Sequence, residues 1–290
     1  VVYLAFWLAS VVFMLALEIP VYFPEKIGGD ETSLFFLHNE FTVQFFFGRA
    51  PLYILALYPA VMYSSFVLVK QAGLFEGRFG ALSGAIAVGL VHHVFYEVFD
   101  HYGPQYGWWL WNYPNFTGSL ASVPVSSMVS FAFIGPIALT LATRLLVTTD
   151  RYEEGVSLSR FSSRIQFGVR AVGAGLLTPV FFVLLTADTW YELLAIELTT
   201  QREAFTAIAL LGSALTLTVL KFSRITEFSM SGLLAFSKAY LLLFLAVFLA
   251  LWLYALPDYL AAVDGVTSWG SRTGSMPYAS GCIALGIFFL

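Results

Sequence analysis

The sequence predicts an all-α, polytopic membrane helix bundle. Its residues are 59% hydrophobic and only 11% charged, whereas soluble domains carry about 25% charged residues. The apolar residues also fall into runs of roughly 20, the length of helix that crosses a bilayer. Lipid offers the backbone no hydrogen-bond partners, so each run must satisfy its own backbone as a helix. We therefore expect a single integral membrane domain over residues 1–290.

Eight apolar segments predict the individual helices. Seven complete spans are expected at 1–24, 51–72, 79–101, 119–146, 166–187, 203–222 and 232–257. The eighth begins near residue 276 and is expected to be incomplete at Leu290. The first and third spans are each followed by an aromatic loop and then by a proline that begins the next span, Pro51 and Pro124. This repetition predicts a parallel duplication of helical hairpins in the first half of the chain.

The basic residues predict an orientation in the membrane. Ten of the fourteen lie in or beside the connections between the second and third, fourth and fifth, and sixth and seventh spans. The other four are Lys26, Arg49, Arg202 and Arg272. Because cytoplasmic loops carry the excess of Lys and Arg, the N-terminus and those three connections are expected in the cytoplasm. The aromatic loops then lie on the non-cytoplasmic side.

Charge and cysteine content exclude several classes of function. The net charge is −4 and no basic face is present, so we expect no nucleic-acid partner. Cys282 is the only cysteine, which excludes an internal disulfide and a thiolate metal cluster. The sequence also lacks a phosphate-binding loop, a zinc signature and a Ser-His-Asp arrangement, so no cofactor is predicted.

The third span carries most of the polar residues that require an explanation. Glu97 lies four residues from both His93 and His101, so the three share one face of a helix. Asp100 projects from a flanking direction. Charged groups within a span are costly and usually face an interior or a cavity. Three interpretations stay open: Glu97 only hydrogen-bonds the two histidines, the group performs acid–base chemistry, or the three side chains bind a metal.

Two further polar sites lie in the first span and in the loop after it. Glu18 is in the apolar run LALEIPVYF, where a neutral carboxylic acid can donate a proton, or can simply be a hydrogen-bonded packing residue. His38, Asn39 and Glu40 are expected in a solvated turn.

Three tryptophans follow the third span. Trp108, Trp109 and Trp111 fall at the predicted outer interface, where Trp and Tyr gather in a belt. The alternative is a wall of aromatic faces that binds an unsaturated lipid or stabilises a cation.

The first loop and the aromatic loop carry a resemblance. Residues 22–59 read YFPEKIGGDETSLFFLHNEFTVQFFFGRAPLYILALYP. Their Phe-Pro-Glu, loop histidine and Arg-Ala-Pro-Leu-Tyr resemble an uncharacterised family of multi-pass membrane proteins of bacteria and animals. More remotely, the chain is similar to membrane carotenoid hydratases of the bisanhydrobacterioruberin type. The matching residues are Glu18, Asp100, Gly107, Trp109, Trp111, Val123, Pro124 and Ser126. The chain departs from that pattern at Ser127, where the hydratases have Asn, and in its His92-His93 pair.

The buried polar residues and this resemblance imply a membrane enzyme that handles an isoprenoid-like or lipid-like substrate, by hydration or isomerisation of an alkene. A protonated Glu18 or Asp100 would donate the proton. Glu97 or His93 would act as the base that delivers water. The tryptophans would bind the substrate and stabilise the cation: Trp108, Trp109 and Trp111. The alternatives are a non-catalytic subunit of a larger membrane complex, with protein partners, and a lipid- or pigment-binding protein.

Overall fold

The computed structural model describes residues 2–26, 28–29, 34–147, 161–186, 200–222 and 232–290. Within them, eight apolar helices confirm the all-α class. They are α1 (Val2–Tyr22), α2 (Leu52–Gln71), α3 (Gly80–Asp100), α4 (Val125–Leu146), α5 (Phe161–Leu185), α6 (Thr200–Phe222), α7 (Gly232–Ala261) and α8 (Met276–Phe289).

Six of these helices are long and apolar enough to cross a membrane, among the residues described. The apolar part of α6 and the whole of α8 are shorter apolar helices. The predicted fourth span begins too early, because residues 119–124 form a β-hairpin before α4. The seventh ends too early, because α7 continues through Pro257 to Ala261. The single domain and the cytoplasmic N-terminus stay predictions.

Helix α3 lies at the centre of the bundle. It packs against α2, α4, α6, α7 and α8. Of the 18 consecutive residues that are the most apolar in this helix, 83% are buried. Small residues allow this close packing. A Cβ atom at Gly84 would lie 2.3 Å from the Phe75 ring, and one at Gly89 would lie 2.6 Å from the Ile137 side chain. By contrast, only 28% of the residues in the most apolar 18-residue stretch of α5 are buried.

The two loops that follow α1 and α3 pair with each other through short strands. Strand β1 (Phe36–His38) runs antiparallel to β4 (Trp109–Trp111), with Leu37 opposite Leu110. Each loop then forms a small hairpin, β2 (Gln44–Phe45) with β3 (Ala50–Pro51), and β5 (Ser119–Leu120) with β6 (Val123–Pro124). The segment from α1 to α2 and the segment from α3 to α4 therefore have the same order of elements: a helix, a single strand, a two-stranded hairpin and a second helix. The predicted duplication of hairpins requires this order.

Each of these hairpins ends at a proline that begins the next helix. Pro51 precedes α2 and Pro124 precedes α4. Proline suits this place because its fixed φ is compatible with the helix start, where no backbone N–H is needed. The repeated prolines thus end both loops in the same way.

Candidate functional site

Two buried carboxylic acids face a shared set of tyrosines. Glu18 on α1 is 2% exposed and Asp100 on α3 is 1% exposed. Tyr53, Tyr58 and Tyr96 each interact electrostatically with both carboxyl groups. We call these five residues, with Tyr22, the carboxyl–tyrosine cluster; Tyr22 lies one turn beyond Glu18 and interacts with it. Sequence analysis selected the two acids and missed the tyrosines, since tyrosine alone is common in apolar helices.

Hydrogen bonds order part of the carboxyl–tyrosine cluster. Tyr96 donates to Tyr58 with 2.6 Å between the hydroxyl oxygens. The Tyr53 hydroxyl lies 2.8 Å from Nδ1 of His38. Oε2 of Glu18 and Oδ2 of Asp100 are buried and have no hydrogen-bond partner among the residues described. The Tyr22 hydroxyl is also buried and has no partner in the described part of the chain. Because buried polar atoms are normally paired, these three oxygens are the atoms of the cluster that could bind a reactant.

Trp109 covers this region from the loop above. Its ring is 2% exposed and its centroid lies 4.9 Å from that of Phe99 and 5.7 Å from the His38 ring. A Cβ atom at Gly103 would lie 2.0 Å from the Trp109 ring, so only glycine leaves room for it. Trp109 is therefore an interior residue and not part of an interfacial belt. Trp108 and Trp111 are half-buried.

The prediction that His38 lies in a solvated turn is wrong. It belongs to β1, and its ring contacts those of Tyr22 and Tyr53 at centroid distances of 5.8 Å each. Asn39 and Glu40 are exposed, as expected. Burial disfavours the charged imidazolium and lowers the pKa of His38 to about 3. In the strand Phe36 is buried, Leu37 is exposed and His38 points inward; the sequence Phe-Phe-Leu-His has no alternation of polar and apolar residues that would predict it.

Glu97 and its two histidines form a second group, on the side of α3 that faces α8. The Glu97 carboxylate lies 3.6 Å from Nδ1 of His93 and 3.5 Å from Nε2 of His101, as the four-residue spacing predicts. His93 Nε2 lies 2.6 Å from the Tyr278 hydroxyl on α8. His101 Nδ1 accepts a hydrogen bond from the Ser275 backbone. The two histidines thus join this group to α8, and Glu97, three residues before Asp100, also interacts electrostatically with Asp100.

The adjacent histidines also bind the backbone of α4. His92 Nδ1 lies 2.7 Å from the Ala132 carbonyl oxygen, and His93 Nδ1 lies 3.1 Å from that of Met128. A carbonyl oxygen can only accept, so Nδ1 carries the proton in both rings and Nε2 of His93 accepts from Tyr278. Ala132 lies in a π-helical turn, Ser130–Ile134. Such turns leave carbonyl groups without their usual helical partners, and the histidines supply them.

The metal interpretation of His93, Glu97 and His101 receives no support. No group of three or more His, Cys, Asp and Glu side chains in the described part of the chain could hold a metal ion. Both ring nitrogens of His93 already have partners in the protein. The histidines make hydrogen bonds to α4 and α8, whereas both carboxylate oxygens of Glu97 and Nε2 of His101 have no hydrogen-bond partner among the residues described, so the first interpretation is not met at Glu97.

The fold and this site define a polytopic helical membrane protein with buried carboxylic acids on its first and third helices. Residues 1–254 match the family described as "Domain of unknown function (DUF7802)", so the chain belongs to that family. No curated protein and no solved structure matches the chain. The prediction of a membrane protein from a family of unknown function is confirmed. The comparisons do not support the similarity to carotenoid hydratases or the distribution in bacteria and animals.

Proposed function

We propose that the protein is a membrane enzyme that protonates a carbon–carbon double bond of an isoprenoid-like lipid. The observation that carries this proposal is that Glu18 and Asp100 are both buried in the bundle and both interact electrostatically with Tyr53, Tyr58 and Tyr96. Burial in an apolar medium favours the neutral form of a carboxylic acid. A neutral acid beside a bound alkene can act as a general acid.

Both candidate reactions require one group that gives a proton and another that receives one. In hydration, the acid protonates one alkene carbon, a water oxygen bonds to the other carbon, and the second carboxylate takes the proton that the water loses. In isomerisation, the second carboxylate removes a proton from a neighbouring carbon and the double bond shifts. In the proposal one of Glu18 and Asp100 is neutral and gives the proton, the other is ionised and receives it, and both interact with the same tyrosines.

The aromatic residues supply stabilisation for the intermediate. Protonation of an alkene leaves a carbocation, and the faces of aromatic rings attract cations. Trp109 and Phe99 provide such faces where the loop after α3 packs on the end of that helix. Trp111 lies beside Trp109, with 6.3 Å between the ring centroids. Glu97 lies three residues from Asp100 and interacts with it electrostatically, so it stays a candidate base, whereas both ring nitrogens of His93 are bound to α8 and α4.

The test is turnover of a defined polyene. The protein is expressed in bacterial membranes that contain an acyclic C40 polyene, and the products are analysed by mass spectrometry. Hydration adds the mass of one water, and growth in heavy water places deuterium on carbon in either reaction. Asp100→Asn and Glu18→Gln are expected to abolish the product, while Glu40→Gln, at an exposed loop carboxyl, should leave it unchanged. An unchanged product profile in both cluster variants would overturn the proposal.

One observation favours the alternative of a non-catalytic subunit. The helices α5 and α7 expose wide apolar faces, since only 28% and 33% of the residues in their most apolar 18-residue stretches are buried. A partner protein would cover these faces as well as lipid does. Purification in a mild detergent distinguishes the two cases: stoichiometric partners support the subunit, and a bound polyene without turnover supports a binding protein.

A further inference from the structure

The hairpin between β2 and β3 has an unusual tip. Phe46, Phe47 and Gly48 have φ angles of 50°, 59° and 84°, in the left-handed region. Glycine adopts this region freely, but a bulky side chain there is an outlier. Hairpin turns with such angles normally use Asn, Asp and Gly. Here the strained position carries a phenylalanine, Phe47, whose side chain is 98% exposed.

Exposed apolar side chains adjoin this tip. Val43 is 45% exposed and Phe45 is 41% exposed, whereas the intervening Gln44 is half-buried. Both lie within four residues of Phe47 in the chain. Leu52, 44% exposed, adjoins them because its backbone donates a hydrogen bond to the Val43 carbonyl. We call Val43, Phe45, Phe47 and Leu52 the hairpin patch.

Contacts tie the hairpin patch to the ends of two membrane-spanning helices. Arg49, next to the tip, donates a hydrogen bond to the carbonyl of Tyr22, the last residue of α1. Its guanidinium also lies 3.0 Å from the Glu25 carboxylate and 4.5 Å from the centre of the Phe23 ring. On the other side, β3 leads directly into α2 at Leu52. The hairpin therefore lies at the depth where two spans end.

We propose that the hairpin patch inserts into the interfacial layer of the lipid bilayer. At the ends of membrane spans, aromatic side chains partition into the boundary between headgroups and acyl chains. Arginine beside them keeps its charged group at the level of the headgroups while its stem lies along apolar surface. Lipid is the occupant that the position favours, because Arg49 ties the hairpin to the end of α1 and β3 leads into α2, and both helices are long and apolar enough to cross a membrane. This inference is independent of the proposed enzymatic activity.

The experiment places an environment-sensitive fluorophore on single cysteines. Cys282 is the only cysteine and is buried, so Cys282→Ala provides the background. Phe47→Cys and Phe45→Cys probe the patch, and Glu40→Cys is the matched control at an exposed position of the same loop. Each variant is labelled with nitrobenzoxadiazole and reconstituted into phosphatidylcholine vesicles, with and without bromine on the acyl chains. Size-exclusion profiles that match the parent protein establish that the variants fold.

The labels at Phe47 and Phe45 are expected to emit at shorter wavelength than the label at Glu40. Brominated lipid should quench them several-fold, and iodide in the aqueous phase should quench only the Glu40 label. Quenching of the Phe47 label by iodide and not by brominated lipid would overturn the proposal. So would an emission shift that disappears when the protein is diluted in lipid, because that result would assign the patch to a second copy of the chain.

Discussion

Tyr96 donates a hydrogen bond to Tyr58 across the contact between α3 and α2, with 2.6 Å between the two hydroxyl oxygens. Each of these tyrosines also interacts electrostatically with Glu18 and with Asp100. In the proposed reactions one carboxyl group loses a proton in every turnover and the other gains one. Hydroxyl groups pass protons by exchanging donor and acceptor roles, so we propose that this pair returns the proton from one carboxyl group to the other after each turnover.

The first prediction concerns that route. In Tyr96→Phe, the first turnover is expected to proceed at close to the normal rate, because the donor carboxyl starts with its own proton. Later turnovers should slow by on the order of 100-fold, the typical contribution of a positioned acid–base group. Rapid-quench measurement of product against time would show an initial burst. Tyr63→Phe, on α2 and outside the cluster, should show no burst. Equal slowing of the first and later turnovers would contradict this role.

The second prediction concerns the support of Trp109. Gly103→Ala places a methyl group 2.0 Å from the ring in the present structure, so the ring must move. Overpacking of this kind costs roughly 1–3 kcal/mol of unfolding free energy, and the shifted ring should also lower activity. Gly281→Ala is the control, because nothing lies within 4 Å of its Cβ position in α8. Denaturant unfolding in detergent measures the unfolding free energy of each variant. A Gly103→Ala variant as stable as Gly281→Ala would refute the requirement for glycine at residue 103.

The third prediction concerns the pH dependence of stability. The pKa of His38 is about 3 in the folded protein and 6.5 in its ordinary state. Between these values the unfolded chain binds a proton that the folded protein does not, so acid favours unfolding. The contribution of His38 is complete above about pH 6.5 and decreases as the pH falls toward 3, by at most about 1.4 kcal/mol per pH unit.

The difference between wild type and His38→Gln isolates this effect from the titration of other groups. Unfolding free energies measured from pH 4 to pH 7 should fall more steeply on acidification in the wild type than in the variant. Parallel curves would mean that the imidazole is solvated in the folded protein.

Most of the helices could be predicted from the sequence alone. The expected spans 51–72 and 79–101 correspond to helices at Leu52–Gln71 and Gly80–Asp100. The reason is that lipid forces each segment to pair its own backbone, which makes a membrane helix a local property of about 20 apolar residues. The face shared by His93, Glu97 and His101 was predictable for the same reason, since helical periodicity alone determines it.

The neighbours of those helices could not be predicted in this way. Glu97 and Asp100 are only three residues apart, yet Glu97 lies beside histidines that contact α8 while Asp100 lies beside tyrosines of α2. Which helix meets each face depends on packing between distant segments. The same holds for His38, whose burial depends on a three-residue strand that pairs with another loop. The π-helical turn of α4 also had no local pattern in the sequence.

The pairing of β1 with β4 has a consequence for biogenesis. Leu37 and its partner Leu110 are 73 residues apart in the chain. At a synthesis rate of about 5–20 residues per second, the ribosome releases the second strand roughly 4–15 seconds after the first. During that interval α1 and α2 can already be inserted while β1 exposes unpaired backbone groups and His38 lacks the Trp109 ring. A nascent chain stopped at this stage would present an open strand edge. A chaperone at the membrane surface could bind this edge until β4, which follows the third helix, has been synthesised.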